Sequence, residues 1–476
     1  MSSTTNQILS KSLPQIKAIY FIGIGGIGMS ALARYFNHLG VQVSGYDKTE
    51  TTLTKKLGSE GIFIHFNDDV SLAPKEVDFI VYTPAIPKNH TELNFYINNN
   101  YTVLKRSDML QWVTENSFNI CVAGTHGKTT TSTMIGHLLR DADYGCNAFL
   151  GGISANYNTN FWSSKENNVV VEADEYDRSF LKLSPNIAVI TSVDPDHLDI
   201  YGTAENVENA FVEFSTKIKA EGCLIVKHGL KCSHKFNVKD TCTYSISDES
   251  ADIHIKNLKV INGEYFFDVI NTFWKLEDVK LCMGGLHNIE NALAAIGVAK
   301  YLKIDDDKIK KALANFKGVK RRFEKILSAN PILIDDYAHH PEELRALIEG
   351  VKSIYPHLPI TLIFQPHLYS RTKDLATDFA KSLSAAEETI LLPIYPAREL
   401  PIEGVTSELI LHEMKMAKAS IKTKEELINY LRDSKVSPEG GDLEGAGTLF
   451  ITAGAGNIDT LVEPIKQILN NKNISL

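Results

Sequence analysis

The chain is poor in what marks secreted, membrane-spanning or nucleic-acid-binding proteins. Its six cysteines, Cys121, Cys146, Cys223, Cys232, Cys242 and Cys282, form no C-x-x-C pair and sit in no histidine-rich tract. That argues against a disulfide framework or a structural zinc site and fits a reducing, cytoplasmic location. No run approaches the ~20 apolar residues of a membrane helix, so no membrane insertion is expected. The one stretch with the outline of a targeting signal is residues 18–33, after Lys11 and Lys17. Four glycines interrupt it, and it continues as an amphipathic segment through Arg34 and Tyr35, whereas a signal peptide needs one uninterrupted helix. Positive charge is also short. Lys+Arg 49 against Asp+Glu 58 leaves no broad basic surface for nucleic acid or anionic lipid, although a small anionic ligand needs only a few local cations. There is no short-period repeat and no low-complexity tract. The longest loop-like stretch, residues 433–447, is rich in Gly, Ser, Pro and acids and reads as solvated.

What the chain does have is an alternation of short apolar runs with longer helical patterns. The runs are 18–22, 79–82, 119–123, 169–171, 187–192, 332–334, 360–364, 389–392 and 448–452. This is the signature of mostly parallel sheets covered by helices, an α/β fold. At roughly 150 residues per domain, 476 residues predict about three domains. Gly-rich strand-to-helix turns at 23–28, 124–128 and 454–456 divide the chain, and the boundaries fall near 101–108 and 318–321. The expected domains are 1–105, 106–318 and 319–476.

The sharpest local signal is Gly124-Thr125-His126-Gly127-Lys128-Thr129-Thr130, entered by an apolar strand and left by a helical pattern. Glycines let backbone N–H groups wrap phosphate oxygens, Lys128 reaches the β- and γ-phosphates, and Thr129 offers its hydroxyl to Mg²⁺. Val122 stands where the common phosphate loop has its first glycine, so this is a shortened variant. The bland alternative is a Gly-rich helix entry with a solvated lysine. A phosphate loop needs an acid from a neighbouring strand, and Val169-Val170-Val171-Glu172-Ala173-Asp174-Glu175 supplies one at the C-terminal strand edge, where open α/β sheets bind ligands. A second strand end carries Asp194-Pro195-Asp196-His197-Leu198-Asp199. Oxygen donors with one imidazole suit Mg²⁺ or Mn²⁺ rather than zinc.

Gly23, Gly25 and Gly28 satisfy G-x-G-x-x-G after the first strand, with Gly26 and Ile27 inside the turn and Asp47 nineteen residues beyond Gly28. The pattern specifies a pyrophosphate on a helix N-terminus with an acid near a ribose or base. A dinucleotide and a UDP-sugar satisfy it equally.

Taken in order, Gly124-Thr125-His126-Gly127-Lys128-Thr129, Glu172-Ala173-Asp174-Glu175, Asp196-His197-Leu198-Asp199, His287-Asn288-Ile289-Glu290-Asn291-Ala292 and Asp335-Asp336-Tyr337-Ala338-His339-His340-Pro341 resemble the Mur ligases over nearly the whole chain. The resemblance implies an N-terminal Rossmann-like UDP-binding domain, a central ATPase and a C-terminal Rossmann-like domain that takes the amino acid. His126, where other branches usually carry asparagine, resembles the branch that joins L-alanine to UDP-N-acetylmuramate and its relative that recycles murein peptides. Phe364-Gln365-Pro366-His367 and residues 194–202 look like the former.

By that resemblance ATP is the cosubstrate. Lys128 contacts phosphate, Thr129 and Glu172 bind one Mg²⁺, and Glu172 and His197 bind a second. His287, Asn288 and Asn291 line the adenine pocket, Arg322 reaches phosphate from the third domain, and Asp336 approaches the ribose. The residues of 23–28 and Asp47 hold the UDP-sugar, and Tyr337, His339 and Arg371 surround the amino acid. Closure of the outer domains would keep water from the acyl phosphate. Many members carry arginine where Leu368 stands, which leaves Arg371 to hold the carboxylate with less help. No modified lysine is assigned.

Two other classes use part of these motifs. An NAD-dependent oxidoreductase accounts for residues 23–28 but leaves the phosphate loop idle. A phosphate-loop motor or switch accounts for Lys128 but not for the N-terminal turn. His287 and its followers also fit a plain helix start, and His339-His340 a helix-entry turn.

Overall fold

The structure, a computed structural model, describes residues 15–115, 117–195, 198–397, 399–414, 418–433 and 448–473. It divides into two compact units: Met1–Asn257 with Phe267–Val279 and Glu290–Asn315, and Leu258–Phe266 with Lys280–Ile289 and Phe316–Leu476.

The first unit opens with five parallel strands, β1 (Ala18–Ile22), β2 (Gln42–Tyr46), β3 (Phe63–His65), β4 (Phe79–Tyr82) and β5 (Val103–Lys105), in the order β3-β2-β1-β4-β5. Strand order reverses beside β1, so the turn after β1 faces the crevice where such sheets bind ligands. Helix α1 (Ile27–His38) starts from that turn and α2 (Arg106–Glu115) follows β5.

A ten-stranded sheet follows, built from β6 (Phe118–Ala123), β7 (Asn147–Ser154), β8 (Thr159–Trp162), β9 (Asn168–Glu172), β10 (Ile187–Ile190), β11 (Cys223–Lys227), β12 (Asp240–Ser245), β13 (Ile253–Ile261), β14 (Glu264–Asn271) and β15 (Trp274–Leu281). The order is β15-β14-β13-β12-β11-β10-β6-β9-β7-β8. Central β6 pairs in parallel with β9 and β10, and Ile120, Cys121, Val122 and Ala123 are wholly buried. A strand covered on both faces reads as an unbroken apolar run, which is why it was legible. Helix α3 (Lys128–Asp141) leaves β6 through the phosphate-loop motif, and α4 (Leu286–Tyr301) follows β15. One core cluster runs from Ile19 and Phe21 of β1 through Tyr35 and Phe36 of α1 to Phe149, Phe161 and Val171 of the larger sheet.

The second unit carries β16 (Glu324–Leu327), β17 (Ile332–Asp336), β18 (Ile360–Phe364), β19 (Glu388–Leu391), β20 (Ala419–Ile421) and β21 (Leu449–Ala453), ordered β16-β17-β21-β18-β19-β20. All neighbours are parallel except β16 on β17. Helices α5 (Pro341–Ile354) and α6 (Tyr369–Leu383) follow β17 and β18. The expected strands are all present, so the α/β reading with mostly parallel sheets holds. The stretch 433–447, expected to be solvated, lies outside the described residues except for Asp433, the last residue of a helix. All six cysteines are free thiols. Among the described residues no helix is long and apolar enough to cross a membrane.

Candidate functional site: two glycine-rich turns

The loop between β6 and α3 is folded by two glycines in conformations that other residues avoid. Gly124 has φ 137°, and a Cβ there would lie 2.1 Å from Thr191 Oγ1. Gly127 caps α3 at φ 81°. Between them the loop is held by the next strand end: Thr125 N–H donates to Ser192 O (3.2 Å), His126 N–H to Ser192 Oγ (2.7 Å), and Asp194 N–H to Thr125 Oγ1 (3.0 Å). The His126 ring is exposed, 3.9 Å from Asp194. Thr130 is buried in the first turn of α3.

Lys128 donates from Nζ to Gly124 O (2.6 Å) and to Glu175 Oε1 (2.9 Å). Glu175 is 1% exposed, and burial raises its pKa against the pull of Lys128. Thr129 Oγ1 donates to Glu172 Oε1 (3.0 Å), and Gly151 N–H donates to Glu172 Oε2 (3.1 Å). One hydroxyl and one carboxylate thus converge at the start of α3, where helix N–H groups attract phosphate. Among the described residues no group of three or more His, Cys, Asp or Glu could hold a metal. Two oxygen ligands fit Mg²⁺, which keeps waters and substrate phosphates in its shell. Asp196 and His197 lie outside the described residues. Asn291 is buried and accepts from Thr131 Oγ1 (3.0 Å), and its Oδ1 would lie 2.8 Å from a Cβ on Gly127.

At the first turn, Gly23 and Ile24 donate N–H to Tyr46 O (2.8 and 3.0 Å), and Gly26 N–H donates to Gly23 O (3.2 Å). Asp47 accepts from Gly25 N–H (2.8 Å) and Thr49 N–H (3.2 Å), so this carboxylate also shapes the turn. The first N–H groups of α1, at Ile27 and Gly28, point out of the helix start. The sequence reading missed Arg106. Its guanidinium would lie 3.0 Å from a Cβ on Gly28 and stands 3.9 Å from Asp174, and it shares a small crevice with Glu172. The signal available was a cation just past the C-terminal end of a parallel strand.

In the second unit, Asp336 accepts N–H bonds from Phe323 and Ala338 (2.7 Å each). Arg322 is exposed on a turn whose neighbours Arg321 and Phe323 both have positive φ, 60° and 50°. Asn288 is buried and donates to Gly284 O (2.5 Å), and His287 is exposed. These two belong to the second unit and Asn291 to the first.

Tyr337, His339, His367 and Arg371 form a cluster. The Tyr337 and His339 rings are 5.2 Å apart, His339 and His367 are 5.8 Å apart, and Arg371 Nη1 is 3.4 Å from His367 Nδ1. Burial, then the neighbouring His339 and Arg371 charges, push His367 down to about 4. Burial lowers His339 as well, so both rings are neutral at neutral pH. His339 Nδ1 faces Tyr337 O (3.0 Å) and Glu343 (3.3 Å), two acceptors, so Nδ1 carries the proton and Nε2 is the basic nitrogen.

Asp335, beside the cluster, is 2% exposed, and burial pushes its carboxyl from 3.8 up to about 7 despite a Thr452 hydroxyl bond (2.6 Å) and Arg321. The folded state therefore holds this proton more tightly than the unfolded chain. Its stabilising contribution is complete below the ordinary 3.8 and is lost as pH rises to about 7. Asp335→Asn should show no such loss. Its melting temperature relative to the parent should climb across that window, and a pH-independent difference would refute the burial cost.

Comparison with known proteins adds independent findings. The family described as "Mur ligase family, catalytic domain" matches residues 18–117, "Mur ligase middle domain" matches 122–299, and "Mur ligase, glutamate ligase domain" matches 321–456. A UDP-N-acetylmuramate–L-alanine ligase of Porphyromonas gingivalis is 46% identical, covering 95% of this chain and 99% of its own. The enzyme of that name from Flavobacterium psychrophilum is also 46% identical, covering 97% and 100%. The crystal structure of the UDP-N-acetylmuramate–alanine ligase of Thermotoga maritima superimposes with a TM-score of 0.80 at 27% identity, over 97% of this chain and all of that one.

Proposed function

The chain belongs to the Mur ligase family, and from that premise we propose that it joins L-alanine to the carboxylate of UDP-N-acetylmuramate in ATP-dependent peptidoglycan precursor synthesis. The observation that carries this reading is the 46% identity over nearly the full length to ligases of that specificity. The separation of a phosphate loop from a second pyrophosphate turn supports it, because a ligase of this kind needs both and an oxidoreductase or a motor needs one. The three domains are assigned as 1–105, 106–318 and 319–476. A cytoplasmic location is proposed from the six free thiols and the ATP requirement.

The chemistry brings two anions together, because the muramate carboxylate must attack the γ-phosphate. The chain's task is to neutralise charge without protonating the nucleophile. Lys128 does this at the β- and γ-phosphates, with Glu175 fixing the ammonium from the far side. Arg106, between Gly28 and Asp174, is placed for the sugar pyrophosphate or the carboxylate. Thr129 and Glu172, joined on the resemblance by His197, would hold Mg²⁺. When bound, that ion adds positive charge beside the transferring phosphoryl group. His287, Asn288, Asn291 and Asp336 are assigned to the nucleoside and Arg322 to phosphate. Tyr337, His339 and Arg371 are assigned to the amino acid. Neutral His339 can take the proton of the attacking amine at Nε2.

The deciding assay is ADP release from the intact protein, adding L-alanine, glycine, L-serine or a murein peptide to ATP and UDP-N-acetylmuramate. Release should require the UDP-sugar and be fastest with L-alanine. Calorimetry should give saturable UDP-N-acetylmuramate binding and none with NAD. ADP release with the murein peptide alone would reassign the substrate, and NAD binding without a UDP-sugar response would reassign residues 23–28.

A further inference from the structure

Asn160 on β8 is remote from both nucleotide turns in sequence and has no part in the chemistry above, yet it is fully buried with both ends of its amide engaged. Its Nδ2 donates to the Ile27 carbonyl (2.6 Å) and to Ser30 Oγ (2.9 Å), both in the first turn of α1. Its Oδ1 accepts from Arg34 Nη1. Arg34 is anchored in turn by a two-pronged pairing with Glu60 (2.7 and 3.0 Å). Aromatic packing also joins α1 to the β7–β8 pair: Tyr35 lies against Phe149 and Phe161, with centroids 5.4 and 6.0 Å apart. Apolar contacts hold two surfaces together without fixing their register, whereas hydrogen bonds are directional.

The other side of this pair leads to the phosphate loop. β8 pairs with β7, and β7 with β9 through Phe149 and Val171. Gly151 of β7 donates its N–H to Glu172, which holds Thr129. The β7–β8 pair is therefore bonded at one face to the start of α1, the helix that the turn at residues 23–28 leads into, and at its other edge to Glu172, the carboxylate that holds Thr129.

We propose that Asn160 is a positioning residue that sets the register of the pyrophosphate turn against the Thr129–Glu172 site, and so aligns the sugar carboxylate with the γ-phosphate. This rests on the reading of residues 23–28 as the UDP-sugar turn. The turn's own shape is set locally by Gly23, Gly25 and Asp47, so a slackened tether leaves binding intact and misaligns the reactants. Misplacement by about 1 Å costs on the order of 100-fold in rate.

Asn160→Asp is nearly isosteric, keeps the acceptor for Arg34 and loses both donors. Asn160→Ser is neutral and too short to reach Ile27 O. Each should lower kcat roughly 10- to 100-fold. The Kd for UDP-N-acetylmuramate, the KM for ATP and the fraction of titratable sites should stay within about twofold. Unchanged kcat in whichever variant folds would overturn the proposal. A raised Kd with kcat preserved would do the same, making Asn160 part of the turn's own binding geometry. So would a loss of rate matched by a loss of titratable sites, which is what a purely structural role gives. If the parent itself neither binds the UDP-sugar nor releases ADP with it, the underlying reading of the turn fails instead.

Discussion

Lys128→Ala and Glu172→Ala should each reduce turnover by about 10³-fold or more, because each removes fixed charge or its support where phosphoryl transfer concentrates negative charge. The two losses have different side effects. Lys128 is the cation against which the almost fully buried Glu175 is held, 2.9 Å away. Without it the buried carboxylate loses that partner, a change that typically costs several kcal/mol or drives the group to take up a proton. Lys128→Ala should therefore melt earlier than the parent. Adding Glu175→Gln should restore most of the lost stability and none of the activity. Glu172 sits at a strand end, half-exposed, and accepts from Thr129 and Gly151. Its removal should leave the melting temperature nearly unchanged. Turnover within tenfold of the parent in either single variant, measured as ADP release, would refute the assignment of the phosphate loop to catalysis.

What could be read in the sequence follows burial. Strands covered on both faces, such as Val169-Val170-Val171 and residues 120–123, are continuous apolar runs bounded by glycine or acid. The loops they feed carry their chemistry within ten residues. The edge of the larger sheet was not legible. β15 reads Trp-Lys-Leu-Glu-Asp-Val-Lys-Leu, with Leu276 and Val279 buried and charges between them, a broken alternation that mimics a polar loop. Short β3, with Phe63 exposed, and β16, with every residue half-buried, gave no contrast to detect.

The site divides in the same way. Lys128, Thr129 and Glu172 meet because a helix start and a neighbouring strand end are adjacent in any parallel sheet of this order, so local motifs were enough to bring them together. Glu175 behind Lys128, Arg106 against Gly28 and Asn160 beneath Ile27 depend on side-chain contacts 47, 78 and 133 residues apart. Nothing local encodes those. Asp47 and Asp336, singled out in the sequence as ligand-facing acids, each also accept one backbone N–H bond from their own turn, from Thr49 and Ala338, and one from a distant turn, from Gly25 and Phe323.

Arg371→Lys should raise the KM for L-alanine roughly 10- to 100-fold, the range expected from losing about 1.5–3 kcal/mol of charge-assisted hydrogen bonding. The KM values for ATP and UDP-N-acetylmuramate should barely move. Arg371 lies in the first turn of α6, after Leu368, a capping residue held at φ 71° that makes no side-chain cap. A cation there is opposed by the helix dipole, so the helix itself gives no reason for it. It is half-buried, its Nη1 lies 3.4 Å from His367 Nδ1, and among the described residues no carboxylate pairs with it. Two acids in that region are engaged elsewhere: Glu399 is bonded to Ser370, and Glu343 faces His339. A half-buried guanidinium that no carboxylate of the described residues pairs with, beside His367 and His339, suits an anionic group of the substrate. With Leu368 apolar, that anion depends on Arg371's two-pronged geometry, which a lysine cannot reproduce. The competing explanation is that Arg371 only packs α6 against His367. In that case Arg371→Lys would lower the melting temperature and leave the alanine KM where it was, and the carboxylate would have to be sought elsewhere around Tyr337 and His339.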